Sequence, residues 1–201
     1  MQIVTCPPYE KAVLLAKTQL YSKGVIVYPT DTLYGLGCDA LCEDAIKQVM
    51  HIKNREENKQ FSVIFESWNK AEQYVEIDTK LKKRLQMITP GPYTFLLKCK
   101  KSLPQNMGRL LGCRIVDNEF CKRLCKEFDR PIVSTSANIS KGRSPINALE
   151  VESRILEMAD LTIDDGETKY KQESTIIDVP AKKILRSGSN LEQAQKWLKL
   201  L

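Results

Sequence analysis

The chain reads as an α/β protein: a twisted open mixed sheet flanked by helices. Three observations predict this. Short β-branched runs alternate with longer stretches of helical periodicity along the whole sequence. Some strand runs meet across tight-turn signals, as at Pro180-Ala181, so hairpin pieces mix with crossovers and the sheet is not purely parallel. No internal repeat or low-complexity linker divides the 201 residues, so residues 1–201 read as a single domain.

Taken in order, Pro7-Pro8 introduces a helix from about Tyr9 to Lys23, with Val13, Leu14, Lys17 and Leu20 at helical spacing. Gly24 suits the left-handed position after its end. Val25 to Tyr28 is the first strand, and Pro29, which has no N–H to donate, stops its ladder. A loop dense in hydroxyls and glycines follows: Thr30-Asp31-Thr32-Leu33-Tyr34-Gly35-Leu36-Gly37. Loops leaving the carboxyl end of a strand in an open α/β sheet are where ligands bind. Ala45, Ile46, Val49 and Met50 make Glu43 to Lys53 an amphipathic helix, and the charged run His51 to Gln60 has little reason to bury itself. Phe61 to Phe65 is a strand. Helical patterns run from Trp68 to Tyr74 and from Asp78 to Ile88, with Asp78 as N-cap, and Thr89-Pro90-Gly91-Pro92 ends the second.

Tyr93 to Lys98 and Leu110 to Val116 read as strands, and Asn118 to Phe128 as a helix with Phe120, Leu124 and Phe128 inward. Pro131-Ile132-Val133 is a short strand running into Ser134-Thr135-Ser136-Ala137-Asn138-Ile139-Ser140. Leu149 to Met158 is helical, and Leu161 to Ile163 is a strand closed by Asp164-Asp165-Gly166. Ser174 to Val179 and Lys183 to Leu185 are strands. Asn190 with Gln193 forms a capping box for a last helix, Leu191 to Leu200.

Composition narrows the function classes. A 42% hydrophobic content supports one sizeable core, and no apolar run approaches the ~18 residues of a membrane span. Met1 to Pro8 carries no secretory pattern, so cytoplasmic residence is expected. Seven cysteines, an odd number with no C-x-x-C, read as reduced thiols; Cys121 and Cys125 share an apolar helix face and fill core. One histidine, His51, leaves a Cys/His zinc site without its usual donors. The formal charge of +6 is interleaved, with excess at Lys80 to Arg84 and Lys98 to Lys101. It is compatible with an anionic small ligand, with RNA, or with neither.

Several enzyme signatures are absent. There is no P-loop and no G-x-S-x-G, and a serine triad would lack its base. Gly35-Leu36-Gly37-Cys38-Asp39-Ala40 matches G-x-G-x-x-A, but Pro29 to Tyr34 separate it from the strand, which a dinucleotide fingerprint does not allow. What remains is a set of cations and hydroxyls at predicted strand and helix ends: Lys53, Arg55 and Lys59; Arg114; Ser134, Ser136 and Asn138; Ser174; Arg186. Arginine forks and lysine point charges with short hydroxyls are what a polyphosphate or carboxylate site requires, provided they converge.

Six of these segments, in order, resemble the YrdC/TsaC family, the threonylcarbamoyl-AMP synthases of tRNA modification, in its single-domain form. They are Pro29-Thr30-Asp31-Thr32-Leu33-Tyr34-Gly35-Leu36-Gly37, Lys53-Asn54-Arg55, Pro90-Gly91-Pro92-Tyr93-Thr94, Ser134 to Ser140, Ser174-Thr175-Ile176-Ile177-Asp178 and Leu185-Arg186-Ser187-Gly188. The resemblance implies a nucleotidyltransferase that converts L-threonine, bicarbonate and ATP, with Mg²⁺ on the ATP, to threonylcarbamoyl-AMP and pyrophosphate. It implies catalytic roles for Lys53 and Arg55 and substrate contacts for Thr32, Arg114, Ser136 and Ser174. ATP contacts fall to Arg55, Lys59, Ser134, Asn138 and Arg186. A threonylcarbamoyltransferase complex is the implied acceptor. The chain departs from the family pattern at Glu56-Glu57, at Lys141 and at Ile64, where some members carry histidine. Larger relatives add a C-terminal domain, which this length does not accommodate. The rival readings are a basic-cleft RNA-binding module, which would want aromatic stacking platforms, and a non-catalytic regulatory relative.

Overall fold

A computed structural model describes residues 2–54, 61–100, 103–104, 107–140 and 142–201. The expected mixed α/β architecture is present, and its strands divide between two open sheets. The first contains β1 (Ile3–Thr5), β2 (Ile26–Tyr28), β3 (Gly35–Gly37), β8 (Thr135–Ser136) and β9 (Leu161–Asp164), in the order β1-β9-β2-β3-β8. The second contains β4 (Ser62–Ile64), β5 (Tyr93–Lys98), β6 (Leu110–Arg114), β7 (Ile132–Val133), β10 (Thr175–Asp178) and β11 (Lys183–Arg186), in the order β11-β10-β5-β6-β4-β7. Both mix parallel and antiparallel pairs: β2 runs parallel to β9 but antiparallel to β3, and β5 runs parallel to β10 but antiparallel to β6.

The helices are α1 (Tyr9–Tyr21), α2 (Glu43–Lys53), α3 (Trp68–Ala71), α4 (Thr79–Gln86), α5 (Glu119–Phe128), α6 (Ser153–Met158) and α7 (Leu191–Leu198). Asp78 and Asn118 cap α4 and α5 by accepting the backbone N–H groups of Leu81 at 2.7 Å and Cys121 at 2.9 Å. Phe120, Cys121, Leu124, Cys125 and Phe128 form the buried stripe of α5, which packs on α1. A larger core joins α2 to both sheets and to Trp68 and Trp197, whose rings stand edge-on to Phe95 at 5.7 and 5.0 Å. All seven cysteines are free thiols. No described helix is long and apolar enough to cross a membrane.

The two sheets meet where the chain leaves β7, passes Ser134 and enters β8. The Val133 N–H donates to the Cys38 carbonyl at 2.9 Å, and the Ser134 N–H to the Ser62 carbonyl at 2.7 Å. This seam demands glycine at position 37, since a Cβ there would lie 2.3 Å from the Val133 carbonyl oxygen.

Several local expectations are corrected. β1, β3 and β8 are strands where the residues alone indicate none. Leu149 to Met158 is not one helix: a 3₁₀ turn, Ala148–Glu150, precedes α6, and Leu149 is exposed. After α1 the left-handed residue is Lys23 (φ 65°), not Gly24, and the buried face of α1 is Ala12, Val13, Ala16 and Leu20, leaving Leu14 outward. Asn190 caps no helix with its side chain. It is itself left-handed (φ 54°), and Gln193 spends its side-chain oxygen on the Tyr93 hydroxyl at 2.6 Å.

Candidate active site

A polar cavity of about 200 Å³ opens at the seam between the sheets. The first sheet contributes Thr30, Thr32, Leu33 and Tyr34 from the turn between β2 and β3, Gly35 from β3, and Thr135 and Ser136 from β8. The second contributes Ser62, Thr94, Arg114, Ile176 and Arg186, with Glu173 and Ser174 just before β10 and Ser134 on the connection.

The turn after β2 is built by its own hydroxyls. Thr30 Oγ1 accepts the N–H groups of Thr32 (3.1 Å) and Leu33 (3.2 Å) and donates to the Leu33 carbonyl at 2.6 Å. Asp31 points inward. Its carboxylate is fully buried, meets Arg114 Nη2 at 2.6 Å and accepts the Asp117 N–H at 3.2 Å. The same Nη2 donates to Thr32 Oγ1 at 2.9 Å, and Arg114 Nε has no hydrogen-bond partner among the described residues. Tyr34 ties the turn to the loop after β9 by donating to the Gly166 carbonyl at 2.8 Å and accepting the Asp165 N–H at 3.0 Å. Burial pushes the Tyr34 phenol up, so it stays protonated.

On the opposite wall Ser174 is held from two sides. Its hydroxyl lies 2.7 Å from Thr94 Oγ1, and Arg186 donates to its carbonyl from Nε (3.1 Å) and Nη2 (3.0 Å) and to its hydroxyl from Nη2 (3.1 Å). Arg186 Nη1 pairs with Glu173 at 3.0 Å. Gly188 lets this happen, because a Cβ there would sit 2.3 Å from the Glu173 carbonyl oxygen. Burial lowers the Arg186 pKa from its ordinary value. Glu173 pulls it up, and the charge of Arg114 pushes it down, so the two arginines sense each other across one cavity.

Lys53 sits differently from the phosphate-gripping position expected of it. It is buried, and its ammonium donates to the carbonyls of Ser136 and Asn138 and to Asn138 Oδ1 (3.2 Å). The reason is local: α2 ends beneath the Ser134 to Ser140 loop, and Ser140 closes the contact through its N–H and hydroxyl to the Lys53 carbonyl. Asn138 is likewise drawn into this scaffold, accepting from the Ser136 hydroxyl at 2.6 Å and donating to the Gly142 carbonyl at 2.5 Å. Lys53 and Asn138 therefore lie behind the cavity wall and shape it.

Of the candidate residues, Thr32, Arg114, Ser134, Ser136, Ser174 and Arg186 line one cavity. Arg55 and Lys59, with Glu56-Glu57 and Lys141, lie outside the described residues. Ile64 is buried in the smaller core. Sequence reasoning missed Asp31, Ser62, Thr94 and Glu173 as wall or support. Asp31 and Thr94 stood inside motifs already singled out; Glu173 and Ser62 carried no separate signal. No described cluster of three His, Cys, Asp or Glu side chains could hold a metal. Glu173, the one carboxylate in the described lining, and the buried Asp31 are each committed to an arginine, so this donor set does not fit a protein-held divalent cation.

Comparison with known proteins agrees with this geometry. Residues 18–188 match the Sua5/YciO/YrdC family, described as "Telomere recombination". The chain is 30% identical to the threonylcarbamoyl-AMP synthase of Pseudoalteromonas translucida, over 88% of this chain and 98% of that one. It is 32% identical to the human threonylcarbamoyl-AMP synthase, over 92% of this chain and 70% of that one. The crystal structure of P. abyssi Sua5 complexed with L-threonine superposes with a TM-score of 0.89 at 28% identity, covering 98% of this chain and 60% of the longer Sua5 chain. With two opposed arginines and a ring of hydroxyls at the seam of two sheets, and with this match along most of its length, the chain belongs to the Sua5/YciO/YrdC family.

Proposed function

We propose that this chain is a threonylcarbamoyl-AMP synthase, a nucleotidyltransferase that makes threonylcarbamoyl-AMP and pyrophosphate from L-threonine, bicarbonate and ATP for the N6-threonylcarbamoyladenosine of tRNA. The observation that carries the reading is the convergence of Arg114 and Arg186 with Thr32, Thr94, Ser136 and Ser174 on one small polar cavity. About 200 Å³ is below the ~300–1,000 Å³ of typical drug-sized ligand pockets. It suits an amino acid and the reacting phosphate, with the adenosine at the mouth.

An amine and carbon dioxide give a carbamate without a catalyst. The protein's work is then to align a carbamate oxygen with the α-phosphorus and to stabilise the pyrophosphate that leaves as the new P–O bond forms. Arg114, fixed by Asp31, presents its edge to the threonine or carbamate carboxylate, and Thr32 and Ser174 offer hydroxyls to the amino acid. Ser134, Ser136 and Arg186 face the phosphates, while Lys53 and Asn138 hold the loop that presents Ser136. Threonine's ammonium and bicarbonate give the carbamate, water and one proton, and that proton can pass to solvent, so the scarcity of histidine is no obstacle. Mg²⁺ enters on the nucleotide, as Mg-ATP, and shares its phosphate charge. The threonylcarbamoyltransferase complex remains the expected acceptor. RNA binding through this cavity is less well supported: Tyr34, the one aromatic residue in its described lining, is fully buried and offers no stacking face.

The test is direct. The protein with Mg-ATP and bicarbonate should release pyrophosphate only when L-threonine is added. Release that is indifferent to threonine would overturn the reading.

A further inference from the structure

The two cavity arginines each carry a carboxylate, and the two carboxylates are held in opposite ways. Asp31 is fully buried and also accepts a backbone N–H from Asp117. Glu173 is half-exposed at 45%, faces the cavity, and has Arg186 as its one ion-pair partner among the described residues. Its backbone is pinned: the Ser189 N–H donates to its carbonyl at 2.9 Å, Gly188 packs against that carbonyl, and the neighbouring Ser174 is buried. The side chain can therefore turn about its own bonds without moving Ser174.

We propose that Glu173 is a displaceable counter-ion: it occupies Arg186 in the empty cleft, yields that guanidinium to the incoming polyphosphate, and re-forms the pair as pyrophosphate leaves. This rests on the reading of Arg186 as a phosphate contact. The chemistry follows from charge. With Glu173 on Arg186, each of the two cavity arginines is matched by one carboxylate. A polyanion entering that cavity meets a carboxylate at the point where it needs a cation, and must displace it. The cost of displacement weakens binding of ATP and of pyrophosphate alike. Glu173 thereby trades nucleotide affinity for release of a product that the same arginine would otherwise retain.

The experiment compares Glu173→Gln with wild type and with Glu127→Gln. The second variant makes the same change in net charge on the distant pair of Glu127 with Lys17. Calorimetric titration with ATP, and separately with inorganic pyrophosphate, should give about three- to ten-fold tighter binding to Glu173→Gln than to either other protein. The gap should narrow as salt rises. Glu173→Ala should move in the same direction, which covers a failure particular to the glutamine. Binding to Glu173→Gln and Glu173→Ala no tighter than to Glu127→Gln would overturn the inference and leave the proposed function standing. Failure of the wild type to bind either ligand would overturn the nucleotide reading and this inference together.

Discussion

Arg114 and Arg186 face the same cavity but belong to different kinds of structure. Arg114 is 8% exposed, ends a central strand and pairs with a carboxylate that water does not reach; Arg186 is 37% exposed, ends an edge strand and pairs with a half-exposed glutamate. Breaking a buried pair strands a charge, whereas an exposed pair contributes little. One arginine is therefore part of the architecture that fixes the amino-acid end of the cleft, and the other is a tool that architecture holds out to a ligand.

Substitutions should separate the two arginines further. The largest effect should come from Arg114→Ala, which leaves the buried Asp31 carboxylate without its cation. It should cost about 3–5 kcal/mol of stability, seen as a melting temperature lower by roughly 6–20 °C, together with loss of turnover. Lys53→Met should follow. It removes the donor that holds the Ser136 and Asn138 carbonyls, at about 1–3 kcal/mol for groups left unsatisfied, and lowers turnover by displacing the Ser136 hydroxyl. Gly188→Ala drives a methyl into the Glu173 and Ser174 backbone, which should cost about 1–3 kcal/mol and raise the KM for threonine as Ser174 shifts. Arg186→Ala should have the smallest effect on stability, about 1–2 kcal/mol with its bonds to Ser174 counted, while raising the KM for ATP about ten-fold or more. If thermal melts show Arg186→Ala to be as destabilising as Arg114→Ala, the distinction between the two arginines fails.

Much of this was legible in the residues because it depends on local chemistry. α2 and β5 have the expected bounds, since a strong apolar stripe and a β-branched and aromatic run between breakers leave few alternatives. Asp78 caps α4 as its side chain dictates. What was not legible depends on distant chain. Gly35-Leu36-Gly37 has poor strand propensity and becomes β3 because β2 and β8 pair with it on both sides. The cap expected at Asn190 loses to Gln193's bond with Tyr93, about a hundred residues away in sequence. That Lys53 holds carbonyls of a loop more than eighty residues on is visible only in the folded chain. In the site, residue types pointed to anion chemistry, but only the folded chain shows which of them reach the cavity and which brace it.

The most direct test is a crystal structure with L-threonine and a non-hydrolysable ATP analogue bound together. The amino acid should lie between Thr32, Arg114 and Ser174, the phosphates against Arg186 and Ser136, and the Glu173 side chain should be turned off Arg186. Ligands seated on another face, or phosphates bound with the Glu173–Arg186 pair still closed and no contact to Arg186, would contradict that placement.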